Sequence, residues 1–279
     1  MAKYGLLIDV SRCNGCYNCQ LACKDEFVGN AYPPISLPQP SSGHFWMRID
    51  EKERGRYPWV RVAYVPIPCM HCEVAPCAKA VSDGIIYRRQ DGIVIIDPEK
   101  GKGQRKITDT CPFGAIYWNE ELQVPQKCTF CAHLLDQGWK EPRCVEACPT
   151  QALLFGDLEN PGSEISKVIA SQKVEPYLPE LKTPLRVFYV GLPKLFIAGN
   201  VVFADTDECG TNVKVKLIEP TGKEVRTRQT NGFGDFEFDG IETKGLYQLK
   251  VTAPGYKTKI LPVDLTEDTY LGEIFLNKS

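Results

Sequence analysis

The sequence predicts an α+β protein of two domains. The first is a cysteine-rich domain with a connector over residues 1–195, and the second is a β-sandwich over residues 196–279. The first prediction rests on the cysteines, because twelve of the thirteen precede residue 149. The second rests on a series of short strand-like stretches separated by turns. A chain of 279 residues is long enough for a hydrophobic core in each domain.

The composition argues against several classes of partner. The formal net charge is −2, whereas nucleic acid or an anionic membrane surface requires a strong basic excess. No stretch approaches the length of about eighteen apolar residues that a membrane span needs. The N-terminus lacks a secretory signal and a twin-arginine pair. We therefore expect a cytoplasmic protein with no nucleic acid and no membrane among its partners.

The first cysteine run has the spacing of an iron–sulfur motif. CNGCYNCQLAC contains Cys13, Cys16, Cys19 and Cys23 in the order C-x2-C-x2-C-x3-C. Bacterial ferredoxins bind [4Fe–4S] clusters with this spacing, and each cluster takes four thiolates. Gly15 eases the tight turn. In two-cluster ferredoxins the fourth cysteine of a run binds the other cluster, so Cys23 is expected to serve a second site.

Two further cysteine runs follow along the chain. They are CMHCEVAPC, with Cys69, Cys72 and Cys77, and CTFC…CVEACP, with Cys128, Cys131, Cys144 and Cys148. The insertion within the last run starts with AHLLDQGWK, which is expected to be partly helical. A single C-x2-C pair is often a zinc site, and an odd cysteine count disfavours a disulfide framework. The spacing of all runs together favours iron–sulfur clusters over both alternatives.

Cys111 stands alone in the sequence, and an internal repeat explains it. CPFGAI at 111–116 matches CPTQAL at 148–153, and VSDGII at 81–86 fits the same frame. Counting back from Cys111 by the ferredoxin spacing gives three positions where cysteines would be expected, and they hold Gly101, Gln104 and Ile107. The cysteine position of VSDGII holds Val81. One whole four-ligand site is therefore missing, and the neighbouring site that needs Cys111 is complete.

Exchange of fourth ligands between motifs sorts twelve cysteines into three complete sites. We call them set A (Cys13, Cys16, Cys19 and Cys148), set B (Cys23, Cys128, Cys131 and Cys144) and set C (Cys69, Cys72, Cys77 and Cys111). The expected cofactors are three [4Fe–4S] clusters, with these twelve cysteines as metal ligands. Cys209 is left over and is interpreted as an incidental thiol, since no second thiol or histidine lies nearby in sequence.

The motifs CNGCYNCQLAC, CMHCEVAPC, TCPFGA and CTFC…CVEACP resemble the iron–sulfur subunits of the dimethyl sulfoxide reductase family of molybdenum enzymes. The resemblance covers about residues 1–160 and implies a tandem ferredoxin-like domain of two double-ferredoxin units. It also implies a large catalytic partner, in a heterodimer or a multiple of it, that carries molybdenum with two pterin guanine dinucleotides. Family members usually have four clusters, and some end in a membrane-facing helix. This chain departs on both counts.

Between the cysteine runs, the first domain is predicted to contain short hairpins. IIYRRQDGIVIID (85–97) forms two β-rich arms around a turn. HFWMRIDEKERGRYPWVRVAYV (44–65) is a longer hairpin with a charged tip, or a surface insertion that meets a partner. AYPPISLPQPSSG (31–43) has no core-forming pattern. Residues 162–176 predict a helix that starts at Ser163.

The C-terminal residues predict a seven-stranded antiparallel β-sandwich of immunoglobulin-like or transthyretin-like type. The stretches are GNVVFAD, NVKVKLIEP, KEVRTRQT, DFEFDG, GLYQLKVTAPGY, KTKILPVDL and TYLGEIFL. They are similar to the carboxypeptidase-regulatory class of small β-domains. Because we see no paired carboxylates and no Ser/His set there, we expect a docking or stabilising module. The acidic DTDE at 205–208 is interpreted as a solvated turn.

Several polar residues near the cysteines have two possible interpretations. His71 and His133 are expected to be hydrogen-bond donors or surface residues, since the thiolates already complete each site. Lys127 and Arg143 each precede a cluster cysteine. They would raise the cluster potential if they lie close to it, or they are ordinary surface charges.

The sequence has no P-loop, no Rossmann glycine motif and no nucleophile–base set of its own. We expect an electron-transfer subunit without a catalytic site, and the resemblance implies that the chemistry lies in the large partner. The missing site and the unusual C-terminus together resemble a member of this family that transfers hydroxyl groups between trihydroxybenzenes. One alternative is a relay subunit of a respiratory molybdenum reductase or a formate dehydrogenase. A second alternative is a structural scaffold in which redox-silent clusters stabilise the fold.

Overall fold

The structure, a computed structural model, describes residues 2–82, 84–219 and 221–279. The chain divides into two compact units, each with a buried core of its own. The first comprises Met1–Lys52 and Ala63–Leu192, and the second comprises Glu53–Val62 and Pro193–Ser279. Within the described ranges, none of the helices has the length and apolar character of a membrane span.

Short strands and short helices make up the first unit, and two of the strands extend beyond it. The strands are β1 (Tyr4–Asp9), β2 (Arg48–Arg56), β3 (Trp59–Ile67), β4 (Ile86–Arg88), β5 (Val94–Ile96), β6 (Tyr117–Asn119), β7 (Val124–Gln126), β8 (Leu153–Asp157) and β9 (Val187–Val190). The helices are α1 (Asn18–Phe27), α2 (Pro76–Lys79), α3 (Ala132–Asp136), α4 (Arg143–Glu146) and α5 (Glu164–Ser171). Short 3-10 helices lie at Val10–Arg12, Arg105–Thr110 and Pro179–Leu181.

A three-stranded sheet brings the first and last cysteine runs together. β1 is its central strand, antiparallel to β8 and parallel to β9. The chain leaves β1 through Val10–Arg12 into the first cysteine run, and it enters β8 directly after Cys148 and its following turn. α1 also packs against α4. The first and last cysteine runs, which are far apart in sequence, therefore lie at the same end of these two antiparallel strands.

Several local predictions for the first unit are confirmed. The hairpin over 85–97 consists of β4 and β5, with Gly92 at a positive φ of 89° in its turn. The hairpin over 44–65 consists of β2 and β3. The helix predicted from Ser163 is α5, and the Ser163 hydroxyl accepts a hydrogen bond from the Ser166 amide at 3.3 Å. The insertion in the last cysteine run begins with α3.

The loop at 31–43 is more ordered than its sequence predicts. Ile35 and Gln39 are buried within it. The ammonium group of Lys24, on α1, donates to the Gln39 side-chain oxygen at 3.1 Å and to the Pro40 carbonyl at 2.6 Å. The hydrophobic pattern of the loop does not predict this order, because a side chain from another element holds the loop in place.

The second unit is a β-sandwich of two sheets. Its strands are β10 (Leu195–Phe203), β11 (Glu208–Cys209), β12 (Lys214–Ile218), β13 (Glu224–Gln229), β14 (Asp235–Ile241), β15 (Gly245–Thr252), β16 (Lys259–Leu265) and β17 (Thr269–Leu276). One sheet has the order β11-β10-β14 with β17 also paired to β10, and the other has the order β13-β12-β15-β16. Alternate residues of both sheets, such as Val215, Leu249 and Phe238, are buried in a shared core.

The sandwich departs from its prediction in two respects. β11 is a two-residue strand in addition to the seven predicted stretches. The prediction that all strands are antiparallel is wrong for β10 and β17, which pair in parallel. A parallel pair needs a crossover connection. β15 and β16 provide it, because the chain passes through the other sheet before β17 returns beside β10.

The charged tip of the early hairpin is part of the second unit. The Arg54 guanidinium forms two hydrogen bonds to the Asp268 carboxylate, at 2.8 and 2.9 Å. Arg61 pairs with Glu237 and, at 2.7 Å, with Asp239. The hairpin tip, which the sequence allowed to meet a partner, thus contacts the C-terminal residues of its own chain.

Candidate metal centres

Set A joins the N-terminal cysteine run to Cys148. The pKa of Cys19 is raised to about 12, mainly by burial and then by the nearby thiolates of Cys13 and Cys148. The pKa of Cys13 is also raised, by burial and by Cys148 and Cys16. Cys16 is exposed. The structure thus brings the four cysteines of set A into one electrostatic neighbourhood, part of which faces solvent.

The loop of set A requires the glycine that its sequence offers. Gly15 has a positive φ of 70°, and a Cβ atom placed on it would lie 2.6 Å from the ring of Tyr64. Both the backbone conformation and the lack of space exclude a side chain. The backbone N–H of Gly15 lowers the pKa of the Cys13 thiol against the effect of burial.

Set B lies in the interior, because all four of its cysteines are buried. Burial raises the pKa of Cys23 well above its usual value, and the charges of Cys128 and Cys131 raise it further. The pKa of Cys144 is raised well above its usual value by burial and then by Cys131, Cys23 and Cys128. Cys23 comes from α1 and the other three from the last cysteine run, so the structure brings together the residues that ligand exchange predicts.

Set C contains the isolated Cys111. The pKa of Cys72 is raised to about 12, mainly by burial and then by the charges of Cys69, Cys77 and Cys111. Burial likewise raises the pKa of Cys111, and the charge of Cys69 adds to the effect. The lone cysteine of the sequence therefore lies beside the CMHCEVAPC loop, as the internal repeat predicts.

The three sets form a series with set B in the middle. The charge of Cys19, in set A, acts on both Cys23 and Cys144 of set B. On the other side, the charge of Cys69, in set C, raises the pKa of Cys128 in set B. Neighbouring sets are therefore close enough for their thiolates to interact.

Backbone amides point at the sulfur atoms, which is an arrangement that suits thiolates. The Ala115 amide donates to Cys111 Sγ at 3.4 Å, and the Ala152 amide donates to Cys148 Sγ at 3.3 Å. The two bonds occupy the same position in CPFGA and CPTQA, so the internal repeat has a structural counterpart. Hydrogen bonds to a charged sulfur stabilise the thiolate and tune a bound cluster.

The chemistry of these sites requires a strongly positive group. Buried thiols with raised pKa values stay protonated unless a metal replaces the protons. Among the described residues, no three His, Cys, Asp or Glu side chains are arranged around a single ion. A cubane does not need this, because each thiolate binds a different iron at a corner of the cage. The residues present fit [4Fe–4S] clusters in this respect.

An unpartnered donor beside set C also fits a bound group. His71 lies between Cys69 and Cys72, and its ring is fully buried. Its Nδ1 accepts a hydrogen bond from the Val94 amide at 3.0 Å, so Nε2 carries the proton. That Nε2 has no hydrogen-bond partner among the described residues. A buried donor without an acceptor is costly, and a cluster sulfur would satisfy it.

The positions where a fourth site would lie are filled by packing. Ile107 is buried in the core, and Val81 packs against that core. The Gln104 amide donates to the Gly101 carbonyl at 3.0 Å, and the Ile107 amide donates to the Gln104 carbonyl at 3.1 Å. The segment thus forms tight turns that lead into the 3-10 helix Arg105–Thr110.

Gly101→Ala is expected to lower the free energy of unfolding by about 1–3 kcal/mol, as overpacking does. A Cβ atom at this position would lie 2.9 Å from the Asp97 carbonyl oxygen and 3.3 Å from side-chain atoms of Ile96 and Pro125. Denaturant unfolding of the full chain measures the effect. Gly103→Ala is the matched control for space, because a Cβ atom there would meet nothing within 4 Å, although its positive φ of 76° adds some strain. Equal costs at both positions would contradict the tight packing.

A polar cluster beside set B was not predicted from the sequence. Glu26, on α1, accepts a hydrogen bond from Tyr32 at 2.7 Å and contacts His133 Nε2 at 2.9 Å. Arg143 lies 3.3 Å from the same carboxylate. This polar cluster lies close to Cys131. The pKa of Cys131 is raised to about 12, mainly by burial; the charge of Glu26 raises it and Arg143 lowers it. The positions of Arg143 before Cys144 and of His133 close after Cys131 are the sequence signals for this cluster, whereas Glu26 and Tyr32 have no such signal.

Comparison with known proteins agrees with both units of the chain. The family model of a 4Fe-4S dicluster domain matches residues 60–158, and that of a carboxypeptidase regulatory-like domain matches residues 197–272. The predicted resemblance of the C-terminal residues to the carboxypeptidase-regulatory class is thereby confirmed. The chain is a ferredoxin-like iron–sulfur domain followed by a β-rich domain of this class.

Curated relatives cover most of the chain. The small subunit of pyrogallol hydroxytransferase from Pelobacter acidigallici is 42% identical over 262 residues, which is 91% of this chain and 92% of that protein. A putative dimethyl sulfoxide reductase iron-sulfur subunit from Halobacterium salinarum is 35% identical over 68% of this chain and 79% of that protein. The arsenate respiratory reductase iron-sulfur subunit ArrB from Shewanella is 29% identical over 67% of this chain and 96% of that protein. The chain therefore belongs to the iron–sulfur subunits of the dimethyl sulfoxide reductase family of molybdenum enzymes, together with the pyrogallol hydroxytransferase small subunit.

Proposed function

We propose that the chain holds three [4Fe–4S] clusters, one in each of sets A, B and C, and that it is the electron-transfer subunit of a pyrogallol–phloroglucinol transhydroxylase. The observation that carries the proposal is the grouping of twelve cysteines from distant loops into three electrostatic neighbourhoods. The two double-ferredoxin units implied by the repeat would then retain three of four sites. A [4Fe–4S] cluster, when bound, stores and releases an electron.

The residues of this chain would bind and insulate the clusters. The cysteines supply thiolates, the amides of Ala115 and Ala152 donate to sulfur, and the buried surroundings of set B exclude water. We place the protein in the cytoplasm, because an odd count of thirteen cysteines disfavours a disulfide framework and a reducing compartment keeps cysteines available for clusters. The chemistry would lie in a large partner subunit that carries molybdenum with two pterin guanine dinucleotides.

The extent of similarity favours the transhydroxylase over other members of the family. The match to the pyrogallol hydroxytransferase small subunit extends over 91% of the chain, whereas the match to the reductase subunit ArrB extends over 67%. Such a subunit would serve an enzyme that moves hydroxyl groups between trihydroxybenzenes without net electron change. Its clusters would then poise the molybdenum centre of the partner, or stabilise the assembly.

A relay subunit of a respiratory molybdenum reductase is the second candidate. The serial arrangement of sets A, B and C favours it, because electrons cross a protein through a line of neighbouring centres. The family also includes the iron-sulfur subunit of an arsenate respiratory reductase, which matches over 96% of its own length.

Anaerobic purification of the complex is expected to yield about twelve iron atoms per copy of this chain, since three cubanes hold four irons each. Molybdenum should be found in the companion subunit. The complex should transfer hydroxyl groups between trihydroxybenzenes and should not reduce oxyanions or sulfoxides. Activity only in the latter assays would support the relay subunit. Dithionite reduction followed by low-temperature EPR tests the scaffold alternative, since redox-silent clusters would give no signal.

A further inference from the structure

A buried lysine lies where the loops of sets B and C meet. Lys127 directly precedes Cys128 of set B, and only 2% of its surface is exposed. Its ammonium group donates to the Cys128 carbonyl at 3.0 Å and also to the Val94 carbonyl, on β5. The two bonds hold the positive charge at a fixed place in the interior.

Val94 connects this lysine to the loop of set C. Its amide donates to His71 Nδ1 at 3.0 Å, and its carbonyl accepts from Lys127. The His71 ring in turn lies 3.8 Å from the ring of Phe130, which follows set B residue Cys128 by two positions. Val94 and the contact between the rings of His71 and Phe130 therefore link the cysteine loops of sets B and C. The ammonium group of Lys127 lies where these loops meet.

Within the part of the chain that the structure describes, no carboxylate neutralises this ammonium group. Among the described residues, Lys127 has no ion pair with Asp or Glu, although it is almost fully buried. An unpaired charge in the interior is expensive, and a negative group nearby would offset that cost. Hydrogen bonds place the ammonium group beside the cysteine loops of both sets: it donates to the carbonyls of Cys128, in set B, and of Val94, whose amide donates to His71 between Cys69 and Cys72 of set C.

We propose that Lys127 is the shared counter-cation of the clusters in sets B and C, and that it holds the reduction potentials of both above the values they would otherwise have. The inference rests on the proposed function, since it presupposes those clusters. Reduction adds a negative charge to a centre that is already negative. A fixed positive charge in a low-dielectric interior stabilises the reduced form, and it does so without water to screen it.

Other cations near the cysteines do not occupy an equivalent position. Lys24 is buried, but its charge acts on Cys23 of set B, and its hydrogen bonds go to the loop at 31–43. Arg143 is partly exposed and shares the carboxylates of Glu26 and Glu146. Neither residue lies between two sets.

The test uses the anaerobically purified complex with Lys127→Gln, which keeps an N–H donor for the Val94 carbonyl but removes the charge. Potentiometric titration followed by EPR should show two of the three clusters shifted to lower potential and the third unchanged. Lys127→Arg, which keeps the charge, should leave all three close to wild type. Lys24→Met is the control for another buried lysine and should shift one cluster at most.

Unchanged potentials in Lys127→Gln, with the iron content intact, would overturn the inference, as would an equal shift of all three clusters. Loss of iron in Lys127→Gln but not in Lys127→Arg would support it, because the clusters would then need the charge for binding. Loss of iron in both variants would overturn it in favour of a packing role. A wild-type complex with fewer than three EPR-active clusters would instead contradict the proposed function.

Discussion

Cys111→Ser is expected to remove one cluster of three, so that the iron content falls from about twelve to about eight atoms per chain. Cys111 lies with Cys69 and Cys72, although no other cysteine is near it in sequence. If it is the fourth ligand of set C, its loss exposes one corner of that cubane and leaves sets A and B intact. The EPR signals of those two sets should persist in the reduced protein.

Cys209→Ser is the matched control, because it removes a thiol without touching a set. Cys209 is exposed and lies in the two-residue strand β11 of the second unit. This variant should keep about twelve irons per chain. If Cys111→Ser also kept three undisturbed clusters, the assignment of Cys111 to set C would be wrong, and the exchange of ligands between distant loops would lose its main support.

The grouping of the cysteines in space was predictable because the signal for it is local and repeated. Each motif carries its own spacing, and CPFGA and CPTQA make the same amide-to-sulfur bond in the structure. A rule for exchanging the fourth ligand then converts four local patterns into three distant groupings. The four positions without cysteine all belong to one site, which supports this grouping.

The polar groups around the ligands were not predictable in the same way. Lys24, Lys127 and Arg143 all lie next to a cluster cysteine in sequence, yet the first two are buried and the third is partly exposed. The difference arises from what surrounds each side chain in space. Lys24 is covered by the loop at 31–43, whose composition predicts no core at all. Hydrogen bonds from a lysine on another element hold this loop in place, and such bonds produce no periodic pattern in the loop's own sequence.

The same limit applies to strand pairing in the second unit. Alternation of buried residues identifies the strands, and Val215, Leu217 and Leu249 all lie in the core as expected. Alternation does not show, however, which strands pair or whether a pair is parallel or antiparallel. The parallel pair β10–β17 was therefore not predicted. The contribution of the hairpin tip to this unit was missed for a related reason. Its contacts with Glu237, Asp239 and Asp268 are long-range ion pairs, which no local pattern encodes.

Arg54→Ala is expected to destabilise the second unit by about 3–5 kcal/mol, as loss of one partner of a buried ion pair does. The side chains of Arg54 and Asp268 are only 14% and 10% exposed, and two hydrogen bonds join them. Asp268 also accepts from the Phe196 amide at 2.9 Å, which keeps the carboxylate in place when the guanidinium is removed. The unpaired charge then stays buried. Native-state hydrogen exchange of the full chain should show faster exchange in β10 and β17.

Two comparisons separate this effect from a general loss of charge or packing. Arg54→Ala combined with Asp268→Ala should cost less than the single change, because no buried charge is then left unpaired. Arg105→Ala breaks an ion pair with Glu120 whose side chains are 66% and 63% exposed, and it should leave the exchange of β10 and β17 unchanged. If β10 and β17 exchanged as slowly in Arg54→Ala as in the wild type, the hairpin tip would contact the sandwich without stabilising it. A cost that appears only when Asp268 retains its charge would instead make the tip an energetic part of the second unit, supplied by a segment of the iron–sulfur half of the chain.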